Sequence, residues 1–311
     1  MKPGLNRRRF LTISAAAAAL PGSAWAQPPV ARWRGQALGA AASMTLVGMT
    51  DQTAHEIFAA VGAEVSRLEQ IFSLHRPGSA LRRLNGAGRL ASPPAEMLEL
   101  LGLSQSLHQV TGGAFDPTIQ PLWQVHALSA ARGEVPEAAT LAEARSRCGW
   151  NQLHYDAAEV SFSRKGMALT FNGIAQGFIA DRVAALLRRR GLRDLLIDMG
   201  EIAALGRRPD GGPWRAGIAT PEGEIVRQVQ LAERALATSA PLGTLLDPGG
   251  RVGHILDPRS GEPGGQWRLV SLAAERAALA DGLSTAFCLM DRPAITAALA
   301  GYPDVSLEAL L

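Results

Sequence analysis

The sequence predicts an α+β fold of mixed, largely antiparallel sheets with packed helices. Three observations point there. Short β-like runs recur along the second half of the chain and are joined by tight Gly, Pro and Asp turns, which favour hairpins over βαβ crossovers. A few stretches carry apolar residues at helical spacing. The 311 residues are 47% hydrophobic and 19% charged, which suits a globular chain with a sizeable core and excludes low-complexity or collagen-like order.

Residues 1–26 read as an export segment rather than as part of the fold. Asn6-Arg7-Arg8-Arg9-Phe10-Leu11 opens an apolar run that ends in Ala24-Trp25-Ala26, a basic start, apolar middle and small-residue cleavage site. The arginine pair before Phe-Leu resembles a twin-arginine signal, so a periplasmic location is expected, with one domain over 27–311. The run is too short and alanine-rich to span a bilayer, and no later segment approaches the ~20 apolar residues a span needs. Removing the four basic residues of the leader from the formal +3 leaves about −1, so nothing supports a nucleic-acid partner.

From 30 to 49 the pattern is strand-like and interrupted by Gly35, Gly39 and Gly48. Residues 51–72 place Ile57, Val61, Val65, Leu68 and Phe72 on one helical face. A second helix begins after Ser92, with Pro93 and Pro94 in its first turn, and stops at Gly112-Gly113. Residues 129–141 read as a loop and helix entry. Strands are expected at 168–171, 195–198, 214–218, 226–231, 252–256 and 269–273, with a helix over 174–190 that ends at Gly191.

Four segments could carry chemistry. In the helix opening over 275–286, Asp281 and Thr285 are four apart and share a face, with Ser284 beside them. Three oxygen donors suit a hard cation such as Mg²⁺, although Asp and Thr near a helix start also serve as caps. Asn172-Gly173-Ile174-Ala175-Gln176-Gly177 opens a helix whose free N–H groups would attract phosphate, or else packs tightly through Gly177. The turn carrying Ala114, Phe115 and Asp116 either presents a ring and a carboxylate to a ligand or places Phe115 in the core with Asp116 in an Asx turn. His254, followed by Ile255, stands at the end of an expected strand and is a candidate general base. His75 lies in a loop after the first helix. The histidines and the two cysteines, Cys148 and Cys288, show no zinc spacing.

In order and wording these segments resemble the FAD:protein FMN transferases, the ApbE-like family. The likeness runs from about Gly39 to Met290, through 73–85, 113–118, 172–177, Ala237-Thr238-Ser239, 254–261 and 280–286. The resemblance implies a two-lobed fold with the flavin between lobes, FAD as substrate, and transfer of FMN to a threonine of an acceptor flavoprotein with release of AMP. It implies Mg²⁺ at Asp281, Ser284, Thr285 and the carbonyl of Gly173. Flavin contacts would fall at Leu38, His75, Ala114, Phe115, Asp116, Thr170, Gln176, His254 and Ile255. His254 would act as the base, ahead of Asp281 or Asp257, since a carboxylate holding a cation is a poorer base. The sequence departs from the family pattern at Gln176 and Thr170, where charged residues are commoner, and at 198–201. Its wording is similar to the branch beside nitrous-oxide reductase maturation, which implies a membrane-bound acceptor. An FAD pyrophosphatase and a non-catalytic FAD-binding accessory protein are the competing readings.

Overall fold

The computed structural model describes residues 28–311 apart from 248 and 251, so the export segment expected over 1–26 lies outside the described residues. In chain order the first half holds β1 (Val30–Ala37), β2 (Ala40–Val47), α1 (His55–Phe72), α2 (Ala80–Ala87), β3 (Arg89–Ala91), α3 (Ala95–Val110), α4 (Gln120–Arg132), α5 (Ala138–Ser146), β4 (Leu153–Tyr155) and β5 (Glu159–Phe162). The second half holds α6 (Ala175–Arg189), β6 (Leu195–Asp198), β7 (Ile202–Leu205), β8 (Trp214–Ala219), β9 (Ile225–Leu231), β10 (Arg234–Ser239), β11 (Val270–Ala274), α7 (Ala277–Phe287), α8 (Arg292–Leu299) and β12 (Ser306–Leu310).

The α+β expectation holds. A seven-stranded sheet in the order β1-β2-β6-β7-β10-β11-β12 is antiparallel throughout, with a three-stranded sheet β3-β5-β4 and the hairpin β8-β9 beside it. The large sheet is covered on both faces, and its side chains alternate accordingly. Ala203, Leu205, Ala235, Ala237, Val270 and Leu272 join the main core with α1, α3, α6 and α7. Their neighbours Ile202, Ala204, Leu236 and Ala273 turn to the other face, against Trp214, Ile218 and Leu231 of the hairpin. Trp214 satisfies its indole by donating to the carbonyl of Leu205 at 2.8 Å, which ties hairpin to sheet.

Two expected strands are not strands. Over 168–171 the backbone joins no sheet and bonds instead to a side chain and a helical turn: Leu169 N–H donates to Asn85 Oδ1 at 2.8 Å, Asn85 Nδ2 donates back to the Leu169 carbonyl at 2.9 Å, and Thr170 N–H donates to the Pro117 carbonyl at 2.9 Å. One asparagine thus does the work of a neighbouring strand. Over 252–256 the described residues make only isolated bridges, Leu245 to Gly253 and Leu256 to Pro263. Helix α2 falls in the 73–85 segment that was read as a loop, and the end of α4 falls at the start of the loop expected over 129–141. Helix α2 starts at Ser79, whose hydroxyl accepts from Arg82 N–H at 3.1 Å and donates to the Ser73 carbonyl at 2.6 Å. No described helix is long and apolar enough to cross a membrane.

Candidate active site

The segment 172–177 is held from behind by aromatic packing. Phe171, just before it, meets Phe72 edge-on at 5.6 Å, and Phe178, just after it, meets the same ring at 5.4 Å. Each such pair contributes roughly 0.5–1.5 kcal/mol beyond the area it buries. Between these anchors the backbone turns into α6, which lies against α7 at very close range. A β-carbon on Gly177 would sit 2.4 Å from the carbonyl oxygen of Ala277, so only glycine permits this approach. Sequence alone left Gly177 between helix packing and phosphate binding, and packing is what the contact displays.

The two helices bond to each other's first turns. Asp281, from α7, accepts the N–H of Gly177 through Oδ2 at 3.1 Å. In return Asp181, from α6, accepts the N–H groups of Ala277 at 2.7 Å and Ala278 at 3.1 Å. Arg276 at the N-cap of α7 makes no side-chain cap, so Asp181 takes that role from another element. Burial pushes the Asp181 carboxyl up to about 6, against the opposing pull of those two N–H groups and Arg276.

This packing brings together the residues expected to hold a cation. Thr285 Oγ1 lies 3.5 Å from the Gly173 carbonyl, and a β-carbon on Gly173 would press on the same side chain at 3.1 Å. Ser284 Oγ donates to the Asp281 carbonyl at 3.0 Å and lies 2.7 Å from Ser239 Oγ, which also reaches Thr285 Oγ1 at 3.3 Å. Ser284 is fully buried with its hydroxyl engaged, whereas Thr285 is half-buried. The donors are all oxygen, with one carboxylate among them. No group of three or more His, Cys, Asp or Glu side chains gathers as a metal cage among the described residues. One carboxylate with hydroxyl and carbonyl oxygen is the manner in which Mg²⁺ is held when substrate phosphates complete its shell. The Asp281 carboxyl, 4% exposed, is pushed up to about 7 by burial, with a further push from Asp181. A buried carboxyl whose charge lacks a countercharge fits a cation site.

A second acid stands beside it. Glu201 is buried at the start of β7, and burial followed by the charges of Asp281 and Asp198 drives its carboxyl well above the usual range. The preceding Gly200 has φ +99°, and a β-carbon there would lie 2.4 Å from Gln176 Nε2, so the 198–201 turn supports the Gln176 amide. Sequence reasoning treated 198–201 only as a turn, passed over Asp181, and gave no role to Glu201 or to Ser239, which stood only within a matching segment. The one available signal for Glu201 was an acid set between the apolar runs 195–197 and 202–205.

The remaining expected flavin contacts form local groups. Leu38 has φ +50°, rare for a branched residue, in the tight turn between β1 and β2. Its N–H donates to Glu69 Oε1 at 2.8 Å, and Glu69 Oε2 pairs with Arg76 at 2.5 Å. Glu69 therefore links the Leu38 turn to the loop of exposed His75, whose N–H is held by Ser73 Oγ at 3.1 Å. Ala114 and Phe115 are buried in the main core. Asp116 Oδ1 accepts from Thr118 N–H at 2.9 Å and Thr118 Oγ1 at 2.7 Å, the Asx turn before proline. Burial raises its carboxyl despite those bonds. Thr170 Oγ1 accepts from Asn172 N–H at 3.2 Å.

His254 and the buried Ile255 lie in the loop that follows β10. A β-carbon on Gly253 would meet the Pro241 carbonyl at 2.2 Å, so this loop closes onto the chain two residues past Ser239. His254 Nδ1 lies 3.1 Å from the Thr244 carbonyl and donates to it, and the Pro241 carbonyl also faces the ring. Burial holds its pKa below the ordinary value, outweighing the carbonyls of Thr244 and Pro241. Cys148 and Cys288 are both free thiols.

Known proteins match this arrangement in sequence and in shape. A FAD:protein FMN transferase of Treponema pallidum is 29% identical over 278 residues, covering 81% of this chain and 77% of that protein. One from Salmonella typhimurium is 25% identical over 87% of this chain and 81% of its own length. The apo crystal structure of the Pseudomonas stutzeri flavinyl transferase ApbE superposes with a TM-score of 0.77 at 29% identity, covering 90% of each chain. The Vibrio cholerae flavin transferase ApbE, at 23% identity and TM-score 0.77, shares the fold over 89% of this chain and 93% of its own. The model of the ApbE family matches residues 38–311, and the chain belongs to that family.

Proposed function

We propose that this protein transfers FMN from FAD to a threonine hydroxyl of an acceptor flavoprotein, with Mg²⁺ as the assisting cation and AMP as the leaving group. Flavin transfer from FAD rests on the family and on relatives that bear the name FAD:protein FMN transferase. The observation that carries the cation and the site is the contact between 172–177 and 281–285, where Asp281, Thr285 and the Gly173 carbonyl converge.

Breaking a diphosphate needs charge neutralised on the phosphate oxygens, an aligned hydroxyl and a proton acceptor. Mg²⁺ at Asp281, Thr285 and Gly173 would draw charge from those oxygens. The chain's own groups account for the rest. Ser239 and Ser284 hold the Thr285 hydroxyl and the α7 backbone in place. At the start of α6 the N–H groups of Ala175 and Gly177 are already taken, by the Phe171 carbonyl and by Asp281. Gln176, pressed by Gly200, stands at that same helix start in place of a charged side chain and contributes a neutral amide. His254, whose pKa burial holds below its ordinary value, would accept the proton of the incoming threonine.

The test is mass spectrometry of a purified acceptor after incubation with FAD, Mg²⁺ and this protein. An FMN-sized increment on a threonine, AMP in equal amount, and loss of both with Asp281→Ala are expected. Free FMN without acceptor labelling would replace the proposal with hydrolysis, and FAD binding without any product would replace it with a delivery role. Export by a twin-arginine route is proposed from Arg7, Arg8 and the run that follows. A periplasmic fraction that lacks the protein after Arg7→Lys/Arg8→Lys, but contains the unaltered chain, is the expected result. The acceptor is proposed to be membrane-bound, so labelling should be found in the membrane fraction.

A further inference from the structure

We infer that Asp181 is a positioning residue for the cation site, setting the place of α7 and with it the reach of Asp281 and Thr285 toward Gly173. The inference rests on the cation reading given above, and it concerns a residue that lies outside the donor set.

Helix α7 carries its donors on its second and third turns but has no cap of its own, since Arg276 makes no side-chain bond to the first turn. Its two leading N–H groups instead end on the two oxygens of Asp181, Ala277 on Oδ1 at 2.7 Å and Ala278 on Oδ2 at 3.1 Å. Arg276 Nε, 4.0 Å from Oδ2, adds a charge on the solvent side. Asp181 itself lies one turn after Gly177 on α6, the residue whose N–H is taken by Asp281. The pair of carboxylates therefore closes a loop of three hydrogen bonds: two from α7 to α6 at Asp181, and one from α6 to α7 at Asp281. With Gly177 letting the backbones meet, α7 has no freedom to slide along α6 without breaking one end of that loop.

Other features were weaker. The cavity of about 230 Å³ beside Asp181 is ringed by Arg182, Arg188 and Arg276, but each of these is already paired with Glu99 or Glu233. The exposed Leu242 and Leu245 near His254 have nothing to indicate what would cover them.

If Asp181 acts by position, removing it should weaken cation binding while flavin binding without the cation stays intact. A ligand-supporting residue of this kind is worth roughly tenfold in metal affinity. The probe is Mn²⁺, read by the loss of its free EPR signal in the presence of saturating FAD, with FAD affinity measured separately by fluorescence quenching in EDTA. Asp181→Ala is expected to raise the Mn²⁺ dissociation constant about tenfold, and Asp181→Asn, which keeps one acceptor oxygen, about threefold. FAD affinity in EDTA should stay within twofold for both. Equal Mn²⁺ affinity in wild type and Asp181→Asn would overturn the inference, as would a parallel loss of FAD affinity, which marks a merely structural cap. Should Asp181→Ala not fold, Asp181→Asn decides. Failure of the wild type to bind Mn²⁺ at all would instead overturn the cation reading itself.

Discussion

Replacing Gly177 by alanine tests the helix contact on which the site is built. The new β-carbon would start 2.4 Å from the Ala277 carbonyl oxygen, against an ordinary contact of about 3.5 Å, so α6 and α7 must part by roughly 1 Å. That movement stretches the Gly177 N–H bond to Asp281 from 3.1 Å to about 4 Å, beyond hydrogen bonding. Losing a bond to a buried carboxylate costs about 1.5–3 kcal/mol and the overpacking about 1–3 kcal/mol, while alanine returns about 1 kcal/mol of helix propensity. The net, roughly 1.5–5 kcal/mol, corresponds to a fall of about 3–10 °C in melting temperature for a chain of this size. The half-saturating Mg²⁺ concentration should rise at least tenfold, because Asp281 and Gly173 move apart. Gly62, in the open interior of α1 with nothing within 4 Å of its added carbon, is the control: Gly62→Ala should leave stability unchanged or raise it by up to about 1 kcal/mol. A Gly177→Ala protein that melts within about 1 °C of wild type and keeps its Mg²⁺ dependence would refute the reasoning.

Three further outcomes are expected. With His254 held below its ordinary pKa of 6.5, transfer measured from pH 5 to 9 should lose rate only on an acid limb below that value; His254→Asn should remove the limb and about 10²–10⁴ of the rate. Asp281 titrates at 3.8 when unfolded and about 7 when folded, so the native state binds more protons between these values and stability falls as pH rises from 3.8 to about 7. Melting at pH 8 should therefore rise on adding Mg²⁺, and Asp281→Asn should flatten the pH slope. Gly200→Ala meets both a φ of +99° and Gln176 Nε2 at 2.4 Å, so FAD affinity by fluorescence quenching should fall several-fold.

The elements readable from the chain were those whose partners are local or whose pattern is regular. Helix α6 is an example, bounded by Gly177 in its first turn and Gly191 after its end, and so is β11, expected over 269–273 and found over Val270–Ala274. What escaped was fixed by partners far along the chain. The run 168–171 has strand-like composition, yet its hydrogen bonds go to Asn85, 84 residues away, and to Pro117. Helix α2 is short and contains Gly86, and its start depends on Ser79 reaching back to Ser73. In the site, Asp281 and Thr285 were legible from their i,i+4 spacing, and Gly173 and Gln176 from the helix opening, which Gly173 precedes and Gln176 joins. Asp181 and Glu201 were not, since the first bonds residues 96 and 97 positions away and the second is defined by the charges of Asp281 and Asp198.

The large sheet places β2 beside β6 and closes on β12, so strands from opposite ends of the chain share one layer. A growing polypeptide cannot complete that layer on the ribosome until almost all of it has emerged, and pairings over such separations are slow to find. The residues that β10 and α7 bring to the proposed cation site are consequently among the last to be assembled. A transport route that waits for a finished fold, as proposed here for export, spares this chain a second search on the far side of the membrane.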